Sequence, residues 1–329
     1  MSVKNLLVNL CLGASLLGSS YAHAASPRSV CVFDPIGRSG DVFVNAQDMS
    51  SDFLSTGVSF NLKLYLNEQK AKQDFKQGLC DGVIITGLQA REFNRFAAAI
   101  EAPGIIKNYS NLEQILGVMA SSKAAKYMRQ GNVEIAGVYP AGAIYMIINK
   151  RSRATPRGLG GMRMINIDNS ELINSFAQKV GASTVSGTTD NFAKIFKQGK
   201  VDITFAPMAI LSAMELDKAI QYEGGILDTP IALLTLQLVI NADRFPAGFG
   251  QQAREISLSQ YERVLKVSRD AEAAVPTELW IKSVQDQDIW ARIALSVRKE
   301  MMKKNYYHPK MIKILDKFRC GTDRLLEGC

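Results

Sequence analysis

Short apolar runs alternate with amphipathic stretches of helical period along most of the chain. Ser29 to Phe33 and the alternating Phe60-Asn61-Leu62-Lys63-Leu64-Tyr65-Leu66 read as the first two strands, and Asn67 to Gln77 as the helix after them. Val83-Ile84-Ile85-Thr86 is a continuous apolar run of the kind buried in a parallel sheet. Gly87 to Arg91 is a loop or helix start, Ala102-Pro103-Gly104 breaks the pattern, and Asn111 to Met128 has helical spacing. Val133 to Tyr139 and Ala143 to Ile148 read as two strands separated by Pro140-Ala141-Gly142. A strand over Met162 to Ile167, a helix over Ser170 to Val180 ended by Gly181, and a helix over Asp190 to Gln198 follow. Ala232 to Ile240 is the best continuous strand, and beyond Gly250 the pattern is helical: Tyr261 to Ala273, Glu278 to Trp290, then a helix through Val297 to about Lys304. Trp280 and Trp290 are expected to pack these helices.

One phrase occurs twice. Phe75-Lys76-Gln77-Gly78-Leu79-Cys80-Asp81 returns as Phe196-Lys197-Gln198-Gly199-Lys200-Val201-Asp202, each copy leading into an apolar run. In both, Gly stands where a helix C-cap wants positive φ and Asp precedes a strand, the helix-to-strand turn of an α/β unit. Two such units predict two similar lobes; the alternative is one long doubly wound domain that reuses a turn. In an open α/β sheet ligands sit beyond the carboxyl ends of strands, so the repeat marks scaffold and specificity is expected one strand downstream.

The N-terminus bears on where the protein works. Lys4, the apolar stretch Leu6 to Leu17 and Ala22-His23-Ala24 form a cleavable secretory signal, placing the mature chain in the periplasm. Cys11 follows Leu10 inside the apolar core, which argues against lipidation. No later run approaches the ~20 apolar residues of a transmembrane helix. Cys31, Cys80, Cys320 and Cys329 remain, and an oxidising compartment favours the pairs Cys31–Cys80 and Cys320–Cys329 over four free thiols.

The formal charge of +8 falls by one with Lys4. Basic residues are spread, with clusters at Lys150-Arg151-Ser152-Arg153 and Lys303-Lys304, and no Arg-rich strip interleaves with aromatics, so nucleic acid is not an expected partner. Gly37 and Gly40 lack the dinucleotide fingerprint, and no cofactor is expected. Outside the signal, His308 is the single histidine; a Ser-His-Asp or zinc site has little to build on, and no enzyme activity is expected.

Between Tyr139 and Met208 the order of features resembles the solute receptors of tripartite ATP-independent periplasmic (TRAP) transporters. The matching features are Tyr139 to Gly142, Pro156-Arg157-Gly158-Leu159-Gly160-Gly161-Met162-Arg163, Gly181-Ala182, Gly199-Lys200-Val201-Asp202, and Pro207. The arginine with which such receptors grip a carboxylate corresponds to Ile165, and the asparagine before the matching proline to Ala206; Arg163 stands at a structural lysine. These departures argue against a simple carboxylic acid as ligand. Over its full length, including Asp34-Pro35 and the C-terminal cysteines, the chain is similar to the secreted AdeT family, ascribed to RND-type efflux and aminoglycoside resistance. With neither a set of membrane spans nor long heptad hairpins, it would be at most an accessory of such a pump.

The expected fold is therefore α/β, a two-lobe periplasmic solute-binding protein of type II, TRAP receptor-like, with C-terminal helices. Residues 1–24 are the signal, 25–138 lobe one, 139–230 lobe two, 231–275 the return to lobe one and 276–329 the C-terminal helices. The expected function is capture of a small solute between the lobes for a membrane transport system, or alternatively an accessory role in efflux. Expected ligand contacts are Asp34, Arg38, Ser39, Thr86 and Arg91 from lobe one, Tyr139 and Tyr145 from the crossover, and Asn166, Asn169, Phe205 and Met208 from lobe two. Asp34 with Asp41 would suit an amine, and Arg38 or Arg91 an acid.

Overall fold

The computed structural model describes residues 26–322, which leaves the expected signal and Cys329 outside the described residues. Its strands are β1 (Ser26–Phe33), β2 (Val58–Tyr65), β3 (Gly82–Thr86), β4 (Arg129–Gln130), β5 (Val133–Ile148), β6 (Arg163–Ile167), β7 (Ser183–Gly187), β8 (Ile203–Pro207), β9 (Gly225–Leu227), β10 (Ala232–Asn241) and β11 (Trp280–Ile281). They join one mixed sheet whose main path is β2-β1-β3-β10-β5-β8-β6-β7. β1 is parallel to β2 and β3, and β6 is parallel to β7 and β8. Between these halves lie β10 and β5, antiparallel to each other and to their outer neighbours.

Parallel neighbours need crossover connections. Helices Asp41–Asp52 and Glu68–Lys76 supply them in the first half, Glu171–Val180 and Phe192–Lys197 in the second. Both halves thus wind in the same order, and the repeated phrase occupies the same place in each. Gly78 and Gly199 have φ of 75° and 66°, the left-handed conformation that glycine adopts without strain. The two aspartates do equivalent work at the adjacent strand. Asp81 Oδ2 accepts from Ser29 N at 2.8 Å, and Asp202 Oδ2 accepts from Arg163 N at 2.9 Å. Each Asp N–H also donates to the carbonyl of that same residue. The phrase closes a helix and aligns two parallel strands at the ends away from the expected ligand.

β1 shows how the sheet divides two apolar layers. Cys31 and Phe33 join one buried cluster while Val30 and Val32 join the other, the two-residue period of a strand. Cys31 and Cys80 form the expected disulfide, with Cα atoms 5.9 Å apart. The second expected pair, Cys320–Cys329, includes a residue outside the described range.

Three expectations are corrected. Val133 to Ile148 is one strand: Pro140 stays in register with Thr235, and Gly142, at φ 93°, belongs to a bulge that absorbs the irregularity. The helix expected to Met128 ends at Ala120, because Ser121 turns extended, and a single turn follows at Ala125–Met128. Glu278 to Trp290 is not a helix. Trp280 and Ile281 pair with β9, Asp228 Oδ1 accepts from Ser283 N at 3.0 Å, and the helix begins only at Gln287. Trp290 does pack between helices, stacked on Phe176, whereas Trp280 meets Tyr145 edge-on. The chain then straps both halves: helix Gln287–Lys303 lies on Glu171–Val180, and Arg95 Nη1 in the first half donates to Asn305 O at 2.8 Å.

Candidate functional site

A cleft of about 930 Å³ opens between the halves, at the carboxyl ends of β1, β3, β6 and β8. That volume is in the range of small-molecule sites. Its floor is apolar and comes from the central pair, through Tyr139, Ile144, Leu234 and Leu236. The walls are built by the loops after the parallel strands, and they touch. Gln89 Nε2 donates to Asp168 Oδ2 at 3.0 Å and Asn67 Nδ2 to Asp190 Oδ1 at 2.8 Å, each bond running from the first half to the second.

Of the residues expected at the site, Asp34, Thr86, Arg91, Tyr139, Asn169 and Phe205 line this cleft. Asp34 is engaged as a local cap, its carboxylate accepting from Ile36 N at 2.8 Å and Phe43 N at 3.0 Å. Thr86 ends β3 and caps the following helical turn through its side chain. The Arg91 guanidinium lies 3.8 Å from the centre of the Tyr306 ring, so the C-terminal segment forms part of the wall. Tyr139 is buried, its hydroxyl without a partner and its ionisation pushed up by burial. Asn169 has φ 54° and accepts from Ser186 Oγ at 2.8 Å.

The other five do not line the cleft. Arg38 and Ser39 stand exposed on the loop before helix Asp41–Asp52, Arg38 facing the ring of Phe43. On β5, alternation turns Ile144 to the cleft and Tyr145 away, toward Trp280. Asn166 is buried within the second half, donating to Asn174 Oδ1 at 2.8 Å. Met208 follows the strand end but joins the apolar core. His308 packs against Phe96 and Tyr127, also off the cleft.

The residues not foreseen are mainly acids. Glu68 and Glu101 both line the cleft, with only 2% and 1% of their surface exposed. Glu68 Oε1 accepts from Thr86 N at 2.6 Å. Glu101 Oε1 accepts from Thr235 N at 2.7 Å and Thr235 Oγ1 at 2.6 Å, while its Oε2 has no partner. Burial pushes Glu68 up to about 7, with the charge of Asp168 adding to the rise and Lys72 opposing it. Burial pushes Glu101 up to about 8, and the charge of Glu68 adds to it. Asp168, on the opposite wall, is raised chiefly by burial as well. A sequence signal existed for two of them. Asp168 precedes Asn169 at the same strand exit, and Glu101 is a lone acid in the apolar run Phe96 to Ala102.

A parallel-flanked sheet with a solute-sized cleft at its strand exits is the architecture of the TRAP periplasmic solute-binding proteins. One from Desulfovibrio salexigens, with bound orotic acid, superposes with a TM-score of 0.74 at 11% identity, covering 89% of this chain and 98% of that one. Another from Haemophilus influenzae, with bound L-gulonate, has a TM-score of 0.74 at 12% identity, covering 89% and 99%. At these identities the likeness is one of fold. In sequence, residues 47–329 match the family described as solute-binding protein AdeT 1/2. The probable solute-binding protein AdeT1 of Acinetobacter baumannii is 32% identical over 290 residues, 88% of this chain and 95% of that protein. The chain belongs to the AdeT 1/2 family of solute-binding proteins.

Proposed function

We propose that the protein is a periplasmic receptor that captures a small solute in the cleft and delivers it to a membrane transport system. Residues 1–24 act as the export signal; 25–138 with 231–275 form one lobe, 139–230 the other, and 276–329 strap them. Binding is by closure about β5 and β10, without catalysis. The observation that carries this reading is the cleft itself, solute-sized, apolar-floored and bridged by Gln89–Asp168 and Asn67–Asp190. Family membership and the shared fold support it. Among the described residues no helix is long and apolar enough to cross a membrane, so transport would need a separate partner. No observation separately favours the accessory role in efflux.

The test is a melting-temperature screen of the purified protein against acids, amines and sugars. A ligand at about 100 times its Kd should stabilise the native state by roughly 2.7 kcal/mol, a rise of several degrees. A flat response across every class would contradict the reading.

A further inference from the structure

The cleft has an unusual balance of charge. Asp34, Asp41, Glu68, Glu101, Asp168 and Glu171 line it against Lys72 and Arg91. Neither cation forms an ion pair with Glu68, Glu101 or Asp168 among the described residues, although the charge of Lys72 offsets Glu68 in part. Lys72 Nζ is held by Gln89 Oε1 at 2.7 Å and Glu92 Oε2 at 3.1 Å, and Arg91 lies on Tyr306. Glu68 and Glu101 have no ion pair among the described residues, though both are almost wholly withdrawn from water. Buried carboxylates without a counter-charge are costly, so in the empty cleft they hold protons, and a cationic ligand can take the place of those protons.

Geometry adds to the balance of charge. The unpartnered Oε2 of Glu101 belongs to a buried side chain that lines the cavity, next to Gln237, whose own Oε1 is buried and unpartnered. Both side chains crowd Gly87: a Cβ there would stand 2.4 Å from Glu101 Oε1 and 2.7 Å from Gln237 Nε2. Glycine at 87 leaves the room that these two side chains occupy. Glu68 is in electrostatic range of both Glu101 and Asp168, so acids of the first half act on an acid of the second. An organic cation is complementary in charge to this acid-rich lining.

We propose that the solute carries an ammonium group, seated between Glu68 and Glu101 on the first wall and Asp168 on the second. This rests on the receptor reading and gives it a closing force. A cation shared by carboxylates of both halves stabilises the closed state over the open one, which is the differential affinity that closure requires.

The test is calorimetry on the full mature chain with n-butylamine, 1,4-diaminobutane and spermidine as probes, and butyrate, succinate and citrate as matched acids. The expected result is binding of at least one amine and of no acid. Glu68→Gln and Glu101→Gln, which keep shape and the acceptor oxygen, should each lose affinity about tenfold or more with an unchanged or higher melting temperature. Asp168→Asn should act likewise and, lying on the opposite wall, should also weaken closure. An acid bound in preference to every amine, no amine bound, or amine affinity unaltered in both Gln variants would overturn the ligand class. The receptor reading is decided separately, since a neutral or acidic solute bound in the cleft would leave it standing.

Discussion

Gln89, on the turn after β3, donates to Asp168, on the turn after β6, at 3.0 Å, and so joins the two walls of the cleft. Gln89 also accepts from Lys72 at 2.7 Å, so one neutral amide links a cation of the first half to an acid of the second. The arrangement holds the cleft shut through groups that water can replace when it opens.

The double variant Gln89→Ala with Asn67→Ala removes two cross-cleft side-chain bonds and leaves the longer one from Glu68 N to Thr189 Oγ1 at 3.4 Å. Each is worth about 0.5–1.5 kcal/mol, enough to shift a closed–open balance several-fold. Small-angle scattering of the ligand-free variant should give a larger radius of gyration than the wild type. An unchanged radius would mean that packing alone sets the closed state.

Asp34 lines the cleft, yet its oxygens are spent on Ile36 N and Phe43 N, and a Cβ on Gly40 would collide with them at 2.1 Å. Asp34→Ala should cost about 1–3 kcal/mol in urea unfolding through the uncapped start of helix Asp41–Asp52. Affinity for a bound solute should change little. Lost binding at unchanged stability would assign Asp34 to the ligand instead.

The Cys31–Cys80 bridge joins β1 to the start of β3 across 49 residues. Replacing both cysteines with alanine should lower the unfolding free energy by about 2–4 kcal/mol, as should reduction of the wild type. Equal urea midpoints for the two proteins would show that the bridge adds no stability.

The scaffold was legible because it is written locally. The repeated Gly-x-x-Asp turns, the continuous strand Ala232 to Ile240 and the Cys31–Cys80 pair each follow from neighbours in sequence, and the structure bears them out. The strand-exit rule led to Thr86 and Phe205 but could not tell which side of β5 faces the cleft, so Tyr145 was expected where Ile144 stands. Glu68 resembles an ordinary first-turn helix acid beside its N-cap Asn67, and only tertiary packing buries it. The same holds for Trp280, whose partner strand β9 lies some 50 residues earlier and overrides its helical pattern.

Stability should fall as pH rises through the neutral range. Glu68 and Glu101 are raised to about 7 and about 8 by burial, above the value near 4.3 of an unfolded glutamate. Between those limits the native state holds protons that the unfolded chain releases, so their stabilisation is full below about pH 4 and lost by about pH 8. Asp168, Lys72 and Glu101 face Glu68, and Glu68 and Tyr307 face Glu101, so the two titrations are coupled. Asp202, lowered to about 2 by Arg163, acts in the opposite sense and only in strong acid. Urea midpoints across about pH 5 to 9 should decline in the wild type and flatten in the Glu68→Gln, Glu101→Gln double variant. Parallel declines would place the titrating groups elsewhere.

Native mass spectrometry of gently purified protein reads capture of a small solute in the cleft. Wild-type protein should carry a small-molecule adduct that is released on denaturation. Ala141→Trp, which fills the space above the β5 bulge, should fold with an equal melting temperature and carry none. A wild type found only at the mass of the bare chain after incubation with a mixed metabolite extract, or an adduct retained equally by Ala141→Trp, would contradict it.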